Sequence, residues 1–290
     1  MFVRPIVAAF ALFCAVSSVP LQVWADNGAQ VTDFEISTDV SALTKTLQIA
    51  EMMQVMREEG IDYGSTLEAE MFPGKGGAKW LAVVGLIYDP AVMQKRFEAA
   101  FDVELKGDPA TIAVMQAFFG SERGQRILTM ETEARRALMD EKAKEAAKVV
   151  VEEMTAKQDP RMAALQAFAH ANDLTEQNVA GALNANLAFY KGLAAGGAFG
   201  DDMTEDQMLA DVWSQEPDIR LETEDWLFSY LTVAYASLSD DDLAAYQAVS
   251  ETPEGQKLNA AMFAAFDAVF TQISYDLGRA AAKQMQGEDI

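Results

Sequence analysis

The chain has 290 residues, half of them hydrophobic, with one cysteine, one histidine and a formal net charge of −23. So acidic a protein is repelled by nucleic acid and by anionic lipid head groups, which excludes both as expected partners. A single cysteine denies it a disulfide framework, but a chain of this length can bury enough apolar surface to fold by packing alone.

The first 25 residues differ from the rest. MFVR supplies a positive charge, PIVAAFALFCAVSSVPL an apolar stretch, and VWA a small residue before Asp26. This is the pattern of a secretory signal peptide cut after Ala25. Ser17, Ser18 and Pro20 interrupt the apolar run, which is short for a bilayer span. Phe13 stands before Cys14, where a bacterial lipoprotein signal has a small residue. Cleavage would leave a cysteine-free mature chain of about 265 residues with no integral membrane span, exported and expected in the bacterial periplasm.

From residue 26 onward strand signals are nearly absent, and Ala, Leu, Met, Glu and Lys recur at helical spacing. SALTKTLQIAEMMQVMREEG (41–60) carries Leu43, Leu47, Met52, Val55 and Met56 on one face and predicts a helix closed by Gly60. EMFPGKGGAKW (70–80) lacks the spacing, the Ser/Thr and the preceding strand of a phosphate loop, and reads as a bend. Lys75 and Lys79 are nevertheless weak candidates for holding an anion at the start of the next helix. SERGQRILTMETEARRALMDEKAKEAAKVVVEEMTAK predicts one long helix from Ser121 to about Lys157, and QDP (158–160) marks a boundary. Beyond it, helices are expected to open at Thr175 and at Thr204, where Thr204 and Gln207 form a capping box.

An internal repeat ties the chain together. DPATIAVMQAFFGSERGQRI (108–127) aligns without a gap on SDDDLAAYQAVSETPEGQKL (239–258) at an offset of 131 residues. Asp108 matches Ser239 and Ser121 matches Thr252, all of them good N-caps. Gly124, Gln125 and Arg126 match Gly255, Gln256 and Lys257. Upstream, after a shift of four residues, IYDP (87–90) faces SQEP (214–217), Leu86 faces Trp213 and Leu81 faces Met208. The expected architecture is therefore an all-α helical repeat protein with two related multi-helix halves. The first half covers 26–157 with its unit at 80–157, and the second covers 158–290 with its unit at 207–285. A glycine inside a first helical turn weakens the helix, so its presence in both units implies a close approach of another helix. Arg126 and Lys257 are then placed to hold acidic groups of a neighbour.

The stretch LTVAYASLSDDDLAAYQAVSETPEGQKLNAAM resembles the exported bacterial family catalogued as domain of unknown function 2059. Residues 226–270 carry the resemblance best and 95–140 a weaker copy, with Glu122 where the second unit has Pro253. The resemblance implies an exported helical protein and implies no activity.

Chemistry is otherwise hard to place. His170 alone cannot build a zinc site, and no cysteine ligand joins it. The clusters GDD (200–202), SDDDL (239–243) and DEKAKE (140–145) lack the alternating oxygen ligands and central glycine of an EF-hand loop. Asp240, Asp241 and Asp242 fit a first helical turn instead. Serine-hydrolase motifs are missing. No catalytic, cofactor-binding or metal residue is assigned, and no cofactor is expected. Three readings follow: a non-enzymatic exported protein binding an envelope protein or small molecule, a carboxylate-dependent hydrolase or lyase with a site between the halves, and a purely structural envelope protein. Exposed apolar patches favour the first, and a convergent pair of buried carboxylates favours the second.

Overall fold

The computed structural model describes residues 36–200 and 203–287, so the segment expected to be a signal peptide lies outside the described residues. Thirteen α-helices and no strand make up the described part, and the fold is all-α. In chain order they are α1 (Thr38–Thr46), α2 (Ile49–Met71), α3 (Gly77–Ile87), α4 (Pro90–Leu105), α5 (Pro109–Phe119), α6 (Glu122–Ala137) and α7 (Glu141–Ala156). The order continues with α8 (Pro160–Ala171), α9 (Leu174–Ala195), α10 (Glu205–Ser214), α11 (Glu216–Ala234), α12 (Asp240–Ser250) and α13 (Pro253–Gln286).

The helix starts follow local chemistry. Ser37, Asp89, Asp108, Ser121, Asp140, Asp159, Thr204, Ser239 and Thr252 each accept a hydrogen bond from a first-turn amide. At Thr204 the expected capping box forms with Gln207. Proline occupies the first helical position of α4, α5, α8 and α13, where its missing N–H costs nothing.

Three expectations are corrected. The helix of 41–60 breaks at Gln48, whose φ of 55° is left-handed, and α2 runs through Gly60 to Met71. Gly60 is there for space: a Cβ on it would lie 2.4 Å from the Tyr88 ring. The long helix from Ser121 breaks after Ala137, because the Asp140 side chain caps a new start at α7. The long helix is instead α13, with 34 residues and a length of about 50 Å at about 1.5 Å per residue. Finally, α9 opens at Leu174 behind a left-handed Asp173 rather than at Thr175.

α13 is the spine. Its main partner is α9, followed by α4 and α5. The α9–α13 contact is backbone-close: a Cβ on Gly192 would meet Tyr275 O at 2.1 Å, and one on Gly278 would meet Phe189 O at 2.2 Å. One core takes Phe97, Phe101 and Leu105 from α4 together with Leu227, Tyr230 and Leu231 from α11 and Val269 and Ile273 from α13. The break at 158–160 is real, with Gln158 left-handed and Asp159 capping α8, but the core crosses it. A smaller cluster joins α9 to α10 and α11 through Val179, Met208, Val212 and Ile219.

Candidate functional site

The segments flanking the two glycine motifs have the same local form. α5 and α12 both span 11 residues, and the helices that follow start at Glu122 and Pro253, again 131 apart. Ser121 accepts from Gly124 N at 3.1 Å and Thr252 from Gly255 N at 3.0 Å. A Cβ on Gly124 would lie 2.3 Å from Phe118 O, and one on Gly255 would lie 2.2 Å from Val249 O. The close approach is thus to the last turn of the preceding helix, and it folds each helix back on its predecessor. Gln125 Nε2 donates to Thr46 O at 2.8 Å and Phe119 O at 2.7 Å, whereas Gln256 is half-buried. Arg126 pairs with Asp242 on α12, assisted by Arg123 at 2.6 Å, and Lys257 reaches Glu104 on α4 at 3.5 Å.

At the bend of 70–80 the anion position is already filled. Glu68 Oε1 accepts from Gly76 N at 3.0 Å and Gly77 N at 2.9 Å, the amides that open α3. Gly74 and Gly77 take positive φ, and Phe72 packs edge-on to Trp80 with ring centroids 5.0 Å apart. An external anion near Lys75 or Lys79 would have to displace Glu68. His170 is exposed in the last turn of α8. Asp240 binds Arg161 at 2.7 Å and Asp242 caps against Ser239, so these acids serve the start of α12. No group of three or more metal-ligating side chains exists among the described residues.

A polar cluster that the sequence reading did not single out lies between α6, α8, α11 and α12. Glu131 of α6 is 2 % exposed. Its Oε1 accepts from the Tyr235 hydroxyl at 2.7 Å, and its main-chain oxygen accepts from Tyr230 at 3.2 Å. The Tyr246 side chain of α12 also faces the carboxyl and favours its charged form. Phe168 of α8 closes the group, 5.1 Å from the Tyr246 ring and 5.9 Å from that of Tyr235. Burial, only partly offset by the tyrosine hydrogen bonds, pushes the Glu131 carboxyl up to about 8, so it is protonated at neutral pH. One turn on, Arg135 is buried and forms a two-pronged pair with Glu59 of α2 at 2.7 and 2.8 Å. The signal was in METEARR: Glu131 and Arg135 continue the ridge of Ile127 and Leu128 toward Leu138, so both face the core.

A neutral carboxylic acid enclosed by tyrosines is a lock between α6 and α11–α12. Its neighbours are hydroxyls rather than a second carboxylate, and Tyr230, Tyr235 and Tyr246 are each no more than 1 % exposed. Acid–base work on a substrate needs reach to that substrate, which this enclosure withholds.

The outer surface is different. Leu86 at 73 % and Trp213 at 58 % exposure end α3 and α10, the two positions that the repeat alignment matches. Val92 and Val103 of α4 are exposed as well, and so are Leu209 of α10 and Leu221 of α11, four residues before Trp213 and eight after it. Comparison of the chain with models of known families, with curated proteins and with solved structures gave no match. Among the described residues no helix is long and apolar enough to cross a membrane.

Proposed function

We propose that the protein is exported and acts without catalysis, binding a protein or ligand of the bacterial cell envelope through exposed faces of its helical units. The observation that carries this reading is the pair of large apolar side chains, Leu86 and Trp213, held in water at the ends of α3 and α10. Exposed apolar clusters rimmed by polar residues mark interaction sites. The enclosed Glu131 supports a structural lock more than a hydrolytic carboxylate. The resemblance of residues 226–270 to the exported family of unknown function agrees with the reading, as does the signal-like start.

The test is photo-crosslinking in the native host. A photoreactive residue is placed at 86, at 213 and, as a control, at exposed His170. A distinct adduct from 86 or 213 and none from 170 is expected, together with a mature N-terminus at Asp26 by mass spectrometry. Equal labelling from all three positions, or no adduct from any, rejects the binding reading.

A further inference from the structure

The two exposed apolar faces differ in charge. Residues 205–225, spanning α10 and the first half of α11, hold eight acids and one base, Arg220. Arg220 is itself tied to Glu176 and Glu216. Asp206, Asp211, Asp218 and Glu222 are exposed and form no ion pair among the described residues. Residues 77–105, spanning α3 and α4, hold four acids and three bases. Only the second face couples exposed apolar side chains to a strong single-sign field.

Its geometry is that of a ridge. Leu209, Trp213, Pro217 and Leu221 follow one another at intervals of four residues, and all are exposed. The residue joining α10 to α11, Gln215, keeps right-handed helical angles, so the path continues from one helix into the next. Met208, Val212 and Ile219 anchor the opposite side in their own small core. Side chains four apart lie on neighbouring turns of one helix face, and the run matches about three turns of a docked helix.

We propose that the α10–α11 ridge is a docking site for a cationic amphipathic helix of a partner protein. The proposal rests on the binding reading and names the partner's chemistry. Trp213, with Leu209 and Leu221, would bury against the partner's apolar stripe. The unpaired carboxylates would meet Lys or Arg at its edges, giving attraction at a distance and orientation on contact. Charge argues against the other occupants. In a two-fold pairing of two copies this acidic ridge would meet itself. An anionic bilayer would be repelled. The segments next to the described residues are acidic too, with Asp26, Asp33 and Glu35 before them and Glu288 and Asp289 after.

The experiment is fluorescence anisotropy with a labelled helical peptide of Leu and Lys at amphipathic spacing, using the mature protein. A peptide with Glu for Lys, and zwitterionic phosphatidylcholine vesicles, run beside it, and sedimentation measures self-association. Binding of the Lys peptide alone is expected, at least ten-fold weaker in about 0.5 M salt, where the Debye length falls to a few ångströms. Leu209→Ser, Trp213→Ser and Leu221→Ser together keep every acid and are expected to weaken binding at least ten-fold. So are Asp206→Asn, Asp211→Asn, Asp218→Asn and Glu222→Gln together. Leu86→Ser with Val103→Ser is expected to leave it unchanged. Circular dichroism confirms that each surface variant is folded. Binding that survives the apolar substitutions is diffuse charge attraction and overturns the proposal. Equal binding of the Glu peptide, preference for vesicles, or dimerisation through the ridge overturns it as well. In those cases the crosslinks at 86, 213 and 170 still decide the broader binding reading by themselves.

Discussion

Glu131 shows how one side chain sets a property of the whole fold. The folded carboxyl titrates at about 8 and the ordinary value is 4.5. A raised folded value means that the folded state holds its proton more tightly. The contribution to stability is therefore complete below about pH 4.5 and is lost as pH rises through about 8, at about 1.4 kcal/mol per unit between them. Glu131→Gln keeps the shape, carries no charge and is expected to remove that slope. Urea midpoints at pH 6 and pH 8.5 check it: the gap between the two pH values should shrink in the variant, which should be the more stable protein at pH 8.5. Parallel slopes for both proteins would show that Glu131 does not titrate as argued. Tyr235→Phe removes the 2.7 Å donor to the same carboxyl and should lower stability by about 1–2 kcal/mol in the same assay.

Between elements, the decisive contacts are made by the absence of side chains. α9 and α13 meet where Gly192 and Gly278 leave no room for a Cβ, with backbone oxygens 2.1 and 2.2 Å from where it would stand. Gly278→Ala should therefore push the helices apart and cost about 2–3 kcal/mol by thermal melting. A melting curve unchanged from wild type would mean that the helices slide freely there. Gly124→Leu and Gly255→Leu should each destabilise for the analogous reason, by crowding the end of α5 and of α12. These sites also mark how far the sequence could be read. The helical class, the capped starts at Asp108, Ser121, Thr204, Ser239 and Thr252, and the two crowded glycines are local features, and local chemistry decides them. The breaks at Gln48 and after Ala137 were hidden, because a left-handed glutamine carries no glycine signature and α6–α7 reads as a continuous charged helix. Glu131 was hidden for a related reason. In composition α6 is polar enough to sit in water, and that polarity masks the ridge from Ile127 through Glu131 and Arg135 that faces the core. Of the surface, the alignment of Leu86 with Trp213 was legible, while their exposure was not.

At the scale of the molecule, the fourth helix of each proposed unit packs on the second helix of the other: α13 lies on α4, and α6 on α11. The ion pairs repeat the exchange, Arg126 to Asp242 in one direction and Lys257 to Glu104 in the other. Glu131 with Tyr230 and Tyr235 joins α6 to α11, and Arg161 of α8 binds the main-chain oxygens of Tyr235 and Leu238 at 2.9 and 2.8 Å. The segments before and after residue 158 thus share one core, and neither keeps its own buried surface when the other is removed. α4 without α13 would expose the faces of Phe97 and Phe101, both fully buried, and Phe97 packs directly on Phe266 at 4.9 Å. The mature protein should then melt in one cooperative transition, with equal calorimetric and van't Hoff enthalpies, although its length would allow two domains. Residues 26–157 expressed alone should lack a cooperative transition and bind a hydrophobic dye. Two resolved transitions in scanning calorimetry, or a fragment that melts sharply by itself, would show that the shared core is a contact between independent domains rather than the source of their fold.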